Sequence, residues 1–192
     1  MRAPATIVIA LSTAVITVAC RQPSGPVEIP PGDIPFAVAR SEPSPSPIAE
    51  VTDVTGYLVL DGRLHPVTRE ILGFLPPEEA AMQAVLGGPT TAERAQGIGT
   101  KIPFQTSLLQ VRVVDSVAEV DLSAEYQGPA SPNDIVIRVA QVVWTLALLP
   151  DVTAVRFSID GSRINVVTDR GPPVDRPVTA LDYSEVAPHG PA

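Results

Sequence analysis

Asp115, Glu119, Asp121 and Glu125 place four carboxylates within one short stretch. Paired carboxylates can share general acid and base roles, and clustered ones can ligate calcium. Glu119 and Asp121 lie two residues apart, so a strand would carry both on one face, opposite Ala118, Val120 and Leu122. A solvated strand face is therefore the competing reading. The chain has two histidines, His65 beside Pro66 and His189 in a Pro/Gly-rich tail. Neither has a neighbouring nucleophile or a ligand spacing of the kind that hydrolases or zinc sites require. Gly87-Gly88 has the composition of a phosphate-cradling loop. It follows a predicted helix rather than preceding one, however, and reads as a helix C-cap. Gln141 sits in an apolar run, and a buried amide there must find partners. Loop backbone near Thr90 or Thr106 is the expected structural partner, with a ligand or protein contact as the alternative. No catalytic residue, metal or cofactor is expected from these residues.

Cys20 is the only cysteine and cannot form an intramolecular disulfide. It closes an apolar run from Ala3 to Ala19 that follows the single base Arg2. That run is shorter than the ~20 residues of a membrane span and has the layout of a secretory signal peptide. Thr17-Val18-Ala19-Cys20 resembles a bacterial lipobox, with Thr17 where leucine is preferred. The resemblance implies a diacylated Cys20 as the mature N-terminus, anchored on the extracytoplasmic face of the cell membrane. An ordinary secretory signal cut elsewhere is the alternative. From Arg21 to Glu50 prolines recur at 23, 26, 30, 31, 35, 43, 45 and 47. They remove amide donors and disfavour helix, as in a linker. The expected organisation is thus 1–19 signal peptide, 20–50 lipidated cysteine and linker, 51–183 folded domain, and 184–192 flexible tail.

A formal charge of −8 and a pI near 4.7, with no basic cluster, exclude binding through phosphate backbones. Within the domain, Asp61-Gly62 between apolar-rich runs predicts a hairpin of Thr55–Leu60 and Arg63–Ile71, with Pro66 restricting the second strand. Pro77, Glu78 and Glu79 start a helix that Gly87-Gly88-Pro89 ends, and Met82, Val85 and Leu86 share its packing side. Leu108–Val114 and Val117–Leu122 flank Asp115-Ser116 as a second hairpin, with Leu109, Val111 and Val113 on one face.

Asp134, Arg138, Gln141 and Thr145 are spaced 4, 3 and 4 apart, on one stripe of a helix but on both faces of a strand. The segment 134–149 is therefore a helix despite its β-branched residues. Ser131 or Asn133 caps it, Pro150 ends it, and Trp144 and Leu148 are deeply buried. Ala154–Ile159 and Arg163–Val167 about Asp160-Gly161 make a third hairpin, and Val178–Tyr183 a last short strand. The fold class is α+β, with two helices packed on one face of a mostly antiparallel sheet.

Between about Val54 and Tyr183 the chain resembles the GerMN domains of bacterial envelope lipoproteins. The resemblance rests on Leu86-Gly87-Gly88-Pro89-Thr90 with Glu93 and Gly97, on Ile102-Pro103 before Thr106, and on Val120-Asp121-Leu122-Ser123. Ala140-Gln141-Val142-Val143 with Thr145-Leu146, and Val155-Arg156-Phe157 with Asp160-Gly161, complete it, whereas Phe104-Gln105 departs from the pattern. It implies a ring-building-motif-like αββαβ core with an added N-terminal hairpin, in a non-catalytic module found in spore-germination proteins and actinobacterial lipoproteins. The expected function is a membrane-anchored protein-interaction or assembly module, partnered by envelope proteins or by itself. The alternative is a protein that binds or hydrolyses peptidoglycan.

Overall fold

A computed structural model describes residues 51–188. The apolar run, Cys20, the linker and His189 lie outside the described residues.

Strands β1 (Val51–Leu60) and β2 (Arg63–Leu72) form a ribbon paired in register from Val51↔Leu72 to Leu60↔Arg63. Both central turn residues, Asp61 and Gly62, have positive φ, the backbone of a tight hairpin whose twist matches its strands. The strands are longer than Thr55–Leu60 and Arg63–Ile71, because pairing continues through the polar residues Thr52 and Asp53. Pro66 sits opposite Tyr57 within the paired run. It is tolerated there because each strand of a two-stranded ribbon has one unpaired edge.

Helix α1 (Pro77–Leu86) buries Ala80, Ala81, Met82, Ala84 and Val85. These small residues let Gly56 of β1 come so close that a side chain there would touch Ala84 at 3.4 Å. Gly88, at φ +64°, releases the chain from α1, and Thr90 starts the short helix α2 (Thr91–Ala95). Strands β3 (Leu108–Val114) and β4 (Val117–Leu122) pair antiparallel about Asp115-Ser116, whose φ values are 50° and 62°. A bulge between Leu108 and Gln110 shifts the alternation, so Leu109 is exposed rather than on the core face with Val111.

Helix α3 (Pro132–Leu146) is capped by Ser131, whose hydroxyl accepts from the Asp134 amide at 3.2 Å. It ends one turn before Pro150, which leaves Leu148 beyond the helix and half exposed, while Trp144, within the helix, is only partly buried. The α3 crossover returns the chain to β5 (Ala154–Ile159), parallel to β4 from Val117↔Ala154 to Leu122↔Ile159. One pair is thus parallel in a set of sheets that is otherwise antiparallel, and the α+β class holds.

The third hairpin is shorter than Arg163–Val167 requires. Strand β6 (Ser162–Arg163) matches only Ser158 and Ile159, because the free edge of β5 at Val155 is taken by Val178, with N···O distances of 2.8 and 2.9 Å. Displaced from that edge, β7 (Val166–Thr168) pairs with β8 (Gly171–Val174) in a separate ribbon. Val178 contributes this single bridge, and among the described residues no strand follows. A capping box of Thr179 and Asp182 turns residues Ala180–Val186 into 3₁₀ structure instead. Val186 is buried, so the packed region reaches beyond Tyr183. Ala118, Val120, Leu122, Val155, Phe157 and Ile159 face Ile137, Val142, Val143 and Leu146 of α3 across the core. Among the described residues, the other sheet face carries no helix.

Candidate functional site

The polar stripe on α3 is buried. Gln141 and Thr145 are fully inaccessible and Arg138 is 4% exposed. Gln141 Nε2 donates to the Tyr57 carbonyl at 3.0 Å, and its Oε1 accepts from the Lys101 amide at 2.8 Å. The Thr100 hydroxyl lies 3.2–3.3 Å from the same side-chain amide. The Thr145 hydroxyl accepts from the Tyr57 amide at 2.9 Å and donates to the Gln141 carbonyl at 2.7 Å. Arg138 donates to the carbonyls of Lys101, Tyr126 and Gly128, and Lys101 Nζ closes the series on Asp134 at 2.7 Å. Three of the four polar residues of the stripe, Arg138, Gln141 and Thr145, therefore satisfy backbone groups of β1, of Lys101 and of the 126–128 turn.

Thr90 and Thr106 are not the partners of Gln141. Thr90 caps α2, accepting from the Glu93 amide while the Glu93 carboxylate accepts from the Thr90 amide. Thr106 is buried, and its hydroxyl has no partner among the described residues. Thr100, Lys101 and Tyr57 were not singled out by the sequence reading. The available signal was the spacing of four between Gln141 and Thr145, which aims both at one segment of a neighbouring strand.

The carboxylates do not assemble. Glu119 is bound by Arg112, with Nε and Nη2 at 2.8 and 2.7 Å from Oε2. Asp121 accepts the Gly161 amide with both oxygens at 3.0 Å. Asp115 occupies the β3–β4 turn, and the exposed Glu125 lies in a 3₁₀ turn, its pKa lowered chiefly by a hydrogen bond from Ser123. His65, half-exposed on β2, lines a pocket of about 100 Å³ with Leu60, Asp61, Leu64 and Pro66. Among the described residues no three His, Cys, Asp or Glu side chains gather as a metal site.

Two surface features stand out. At the open end of the β1–β2 ribbon, Val51, Leu72, Phe74, Leu75 and Leu148 are exposed, Phe74 at 74% and Leu72 at 69%. Leu75 and Leu148 border a groove of about 490 Å³ between the start of β1 and the end of α3. On the helix-free face of the central sheet, a polar cleft of about 340 Å³ is lined by Gln110, Arg112, Glu119, Asp121, Arg156 and Arg163, among others.

The model of the Germane family, described as sporulation and spore germination, matches residues 53–165, more than half of the chain. The chain belongs to the Germane family. No curated protein matches it. Among solved structures, the tandem GerMN domains of the sporulation protein GerM from Bacillus subtilis align at TM-score 0.53 and 20% identity. That alignment covers 69% of this chain and 48% of the other, so the chain spans about half of the tandem protein. The first GerMN domain of the same protein aligns at TM-score 0.51 and 23% identity, over 68% of this chain and 98% of that one. A Clostridium perfringens protein described as a candidate lipoprotein aligns at TM-score 0.50 and 17% identity, covering 71% and 92%. At these identities the likeness is one of fold.

The Germane motif residues acquire physical roles here. Gly88 supplies the left-handed turn, and Glu93 reaches back to clamp that turn to the ribbon. Its carboxylate takes a two-pronged bond from Arg69, 2.8 Å at each oxygen, while Arg69 also donates to the Gly88 carbonyl at 3.0 Å. The Arg69 guanidinium and, secondarily, the Thr90 bonds hold the Glu93 carboxyl down at about 2. Gln141 and Thr145 hold β1 onto α3. Among the described residues no helix is long and apolar enough to cross a membrane.

Proposed function

We propose that the chain is a lipid-anchored envelope protein on the extracytoplasmic face, whose Germane domain acts as a non-catalytic interaction or assembly module. The apolar group at the open end of the ribbon carries this reading. Single exposed apolar residues are ordinary, but Val51, Leu72 and Phe74 at the ribbon end, with Leu75 and Leu148 bordering the adjacent groove, point to a surface that a protein partner covers. The helix stripe, the other surface first considered for docking, is committed to internal backbone. The sequence features around Cys20 supply the anchor. Two or three acyl chains, at ~0.8 kcal/mol per buried methylene, would attach it stably.

Peptidoglycan binding or hydrolysis through the acidic strand face has less support. Glu119 and Asp121 are each engaged by a neighbour, and the cleft beside them has no aromatic platform for a sugar ring.

The test uses the full lipidated chain purified from native membranes in mild detergent. A protein partner, or a second copy, should co-purify at fixed stoichiometry, and Leu72→Ser with Phe74→Ser should release it while leaving the circular dichroism unchanged. Co-purification that survives both substitutions would overturn this assignment of the surface.

A further inference from the structure

The helix-free face of the β3–β6 sheet is chequered with charge. One cross-strand row runs Arg112, Glu119, Arg156, since Arg112 pairs with Glu119 across β3–β4 and Glu119 with Arg156 across β4–β5. The next runs Gln110, Asp121, Ser158, Arg163. Each acid is held by a group other than the arginines of β5 and β6. Glu119 is bound by Arg112 and Asp121 by the Gly161 amide. Arg156 and Arg163 consequently have no hydrogen bond or ion pair from their side chains among the described residues, although both line the same cleft. The basic residues elsewhere in the domain are engaged, including Arg63, Arg69, Lys101, Arg138 and Arg176. Arg156 is the more constrained of the two, because its Nε is shielded from solvent and still lacks an acceptor. Guanidinium groups have five donors and no acceptor, and they bind planar carboxylates in a two-pronged fork. Two free forks on a domain from a chain of net charge −8 are a local reversal of sign.

We propose that Arg156 and Arg163 form a receptor for a carboxylate, filled by an acidic side chain of a protein partner. This rests on the interaction-module reading and adds a second, polar contact to it. Ser158 and Gln110, beside the arginines in the cleft, can share the ligand's remaining lone pairs. The lining has no aromatic ring, which favours a peptide carboxylate over a glycan.

The test measures binding of a glutamate-rich octapeptide, capped at both ends, to the full chain in detergent micelles, with ¹⁵N spectra reporting the arginine Nε–H signals. The expected results are movement of the Arg156 signal on titration, no response to the glutamine-rich analogue, and at least tenfold weaker binding in Arg156→Ala with Arg163→Ala. Arg156→Lys should retain intermediate affinity, whereas Arg63→Gln, which removes one positive charge outside the cleft, should bind as the parent does. Binding that is absent, or equal in parent and double variant, would overturn the proposal. So would preference for the carboxylates of a peptidoglycan stem peptide, which would assign the cleft to the wall. If the cleft fails while the Leu72 and Phe74 substitutions still release a partner, only the receptor falls. If the peptide binds as expected and those substitutions release nothing, the apolar surface falls instead.

Discussion

Gln141→Leu removes an amide that sits with no solvent exposure and keeps nearly the same volume. The change strands the Tyr57 carbonyl at the ribbon and the Lys101 amide in the following loop, which Gln141 holds at 3.0 and 2.8 Å. Each buried backbone group left unpaired costs ~1–3 kcal/mol, and leucine recovers about 1 kcal/mol through added apolar burial. The expected destabilisation is therefore about 1–5 kcal/mol, a large part of the ~5–15 kcal/mol that holds a typical domain. Urea unfolding followed by fluorescence reads this directly, because the sole tryptophan, Trp144, lies edge-on to Tyr57 with centroids 5.9 Å apart. The transition midpoint should fall with its slope unchanged. Thr145→Val should cost about 1–2 kcal/mol, and the pair should be less than additive, since both residues hold the Tyr57 peptide units. A Gln141→Leu protein as stable as the parent would refute the structural role of the stripe and return Gln141 to the ligand alternative.

Acid should loosen the α1–α2 junction and the C-terminal turn together. Glu93 and Asp182 both titrate at about 2, held there chiefly by Arg69 and Arg176. Because both values lie below those of an unfolded carboxyl, their stabilisation is present above about pH 4.5 and is lost as pH falls towards 2. Glu93→Gln should flatten this part of the stability profile, and an unchanged profile would contradict the clamp. At the β3–β4 turn, Ser116 holds φ 62° without being glycine. Ser116→Gly should relieve that conformation and add up to ~1 kcal/mol, measured by thermal unfolding. Loss of stability there would show the serine side chain to matter more than the backbone. Cys20→Ser should leave the domain folded but move the protein from the membrane to the soluble fraction, and intact retention would remove the anchor from the account.

The elements that were legible in the sequence are those set by local chemistry. Asp61-Gly62, Asp115-Ser116 and Asp160-Gly161 each make the predicted turn, with positive φ at both central positions. The spacing of Asp134, Arg138, Gln141 and Thr145 was enough to choose helix over strand for α3 against its β-branched residues. What failed depends on distant competition. Nothing local in Arg163–Val167 tells that Val178 occupies the edge of β5, and nothing in Leu108–Val114 marks the bulge that turns Leu109 outward. The site followed the same division. The need of Gln141 for a buried partner was readable, but its partners Tyr57, Thr100 and Lys101 lie 40 or more residues away. The unpaired state of Arg156 was likewise invisible, because it arises from Glu119 turning to Arg112 across a different strand pair.

The central claim, that the ribbon end is where this anchored domain meets a protein, is tested most directly by a photo-crosslinking amino acid at position 74 in cells. The account predicts one discrete adduct in the membrane fraction, absent when the crosslinker is moved to the exposed position 151 and lost with Leu72→Ser. Monomer alone at position 74, or the same adducts from both positions, would contradict it.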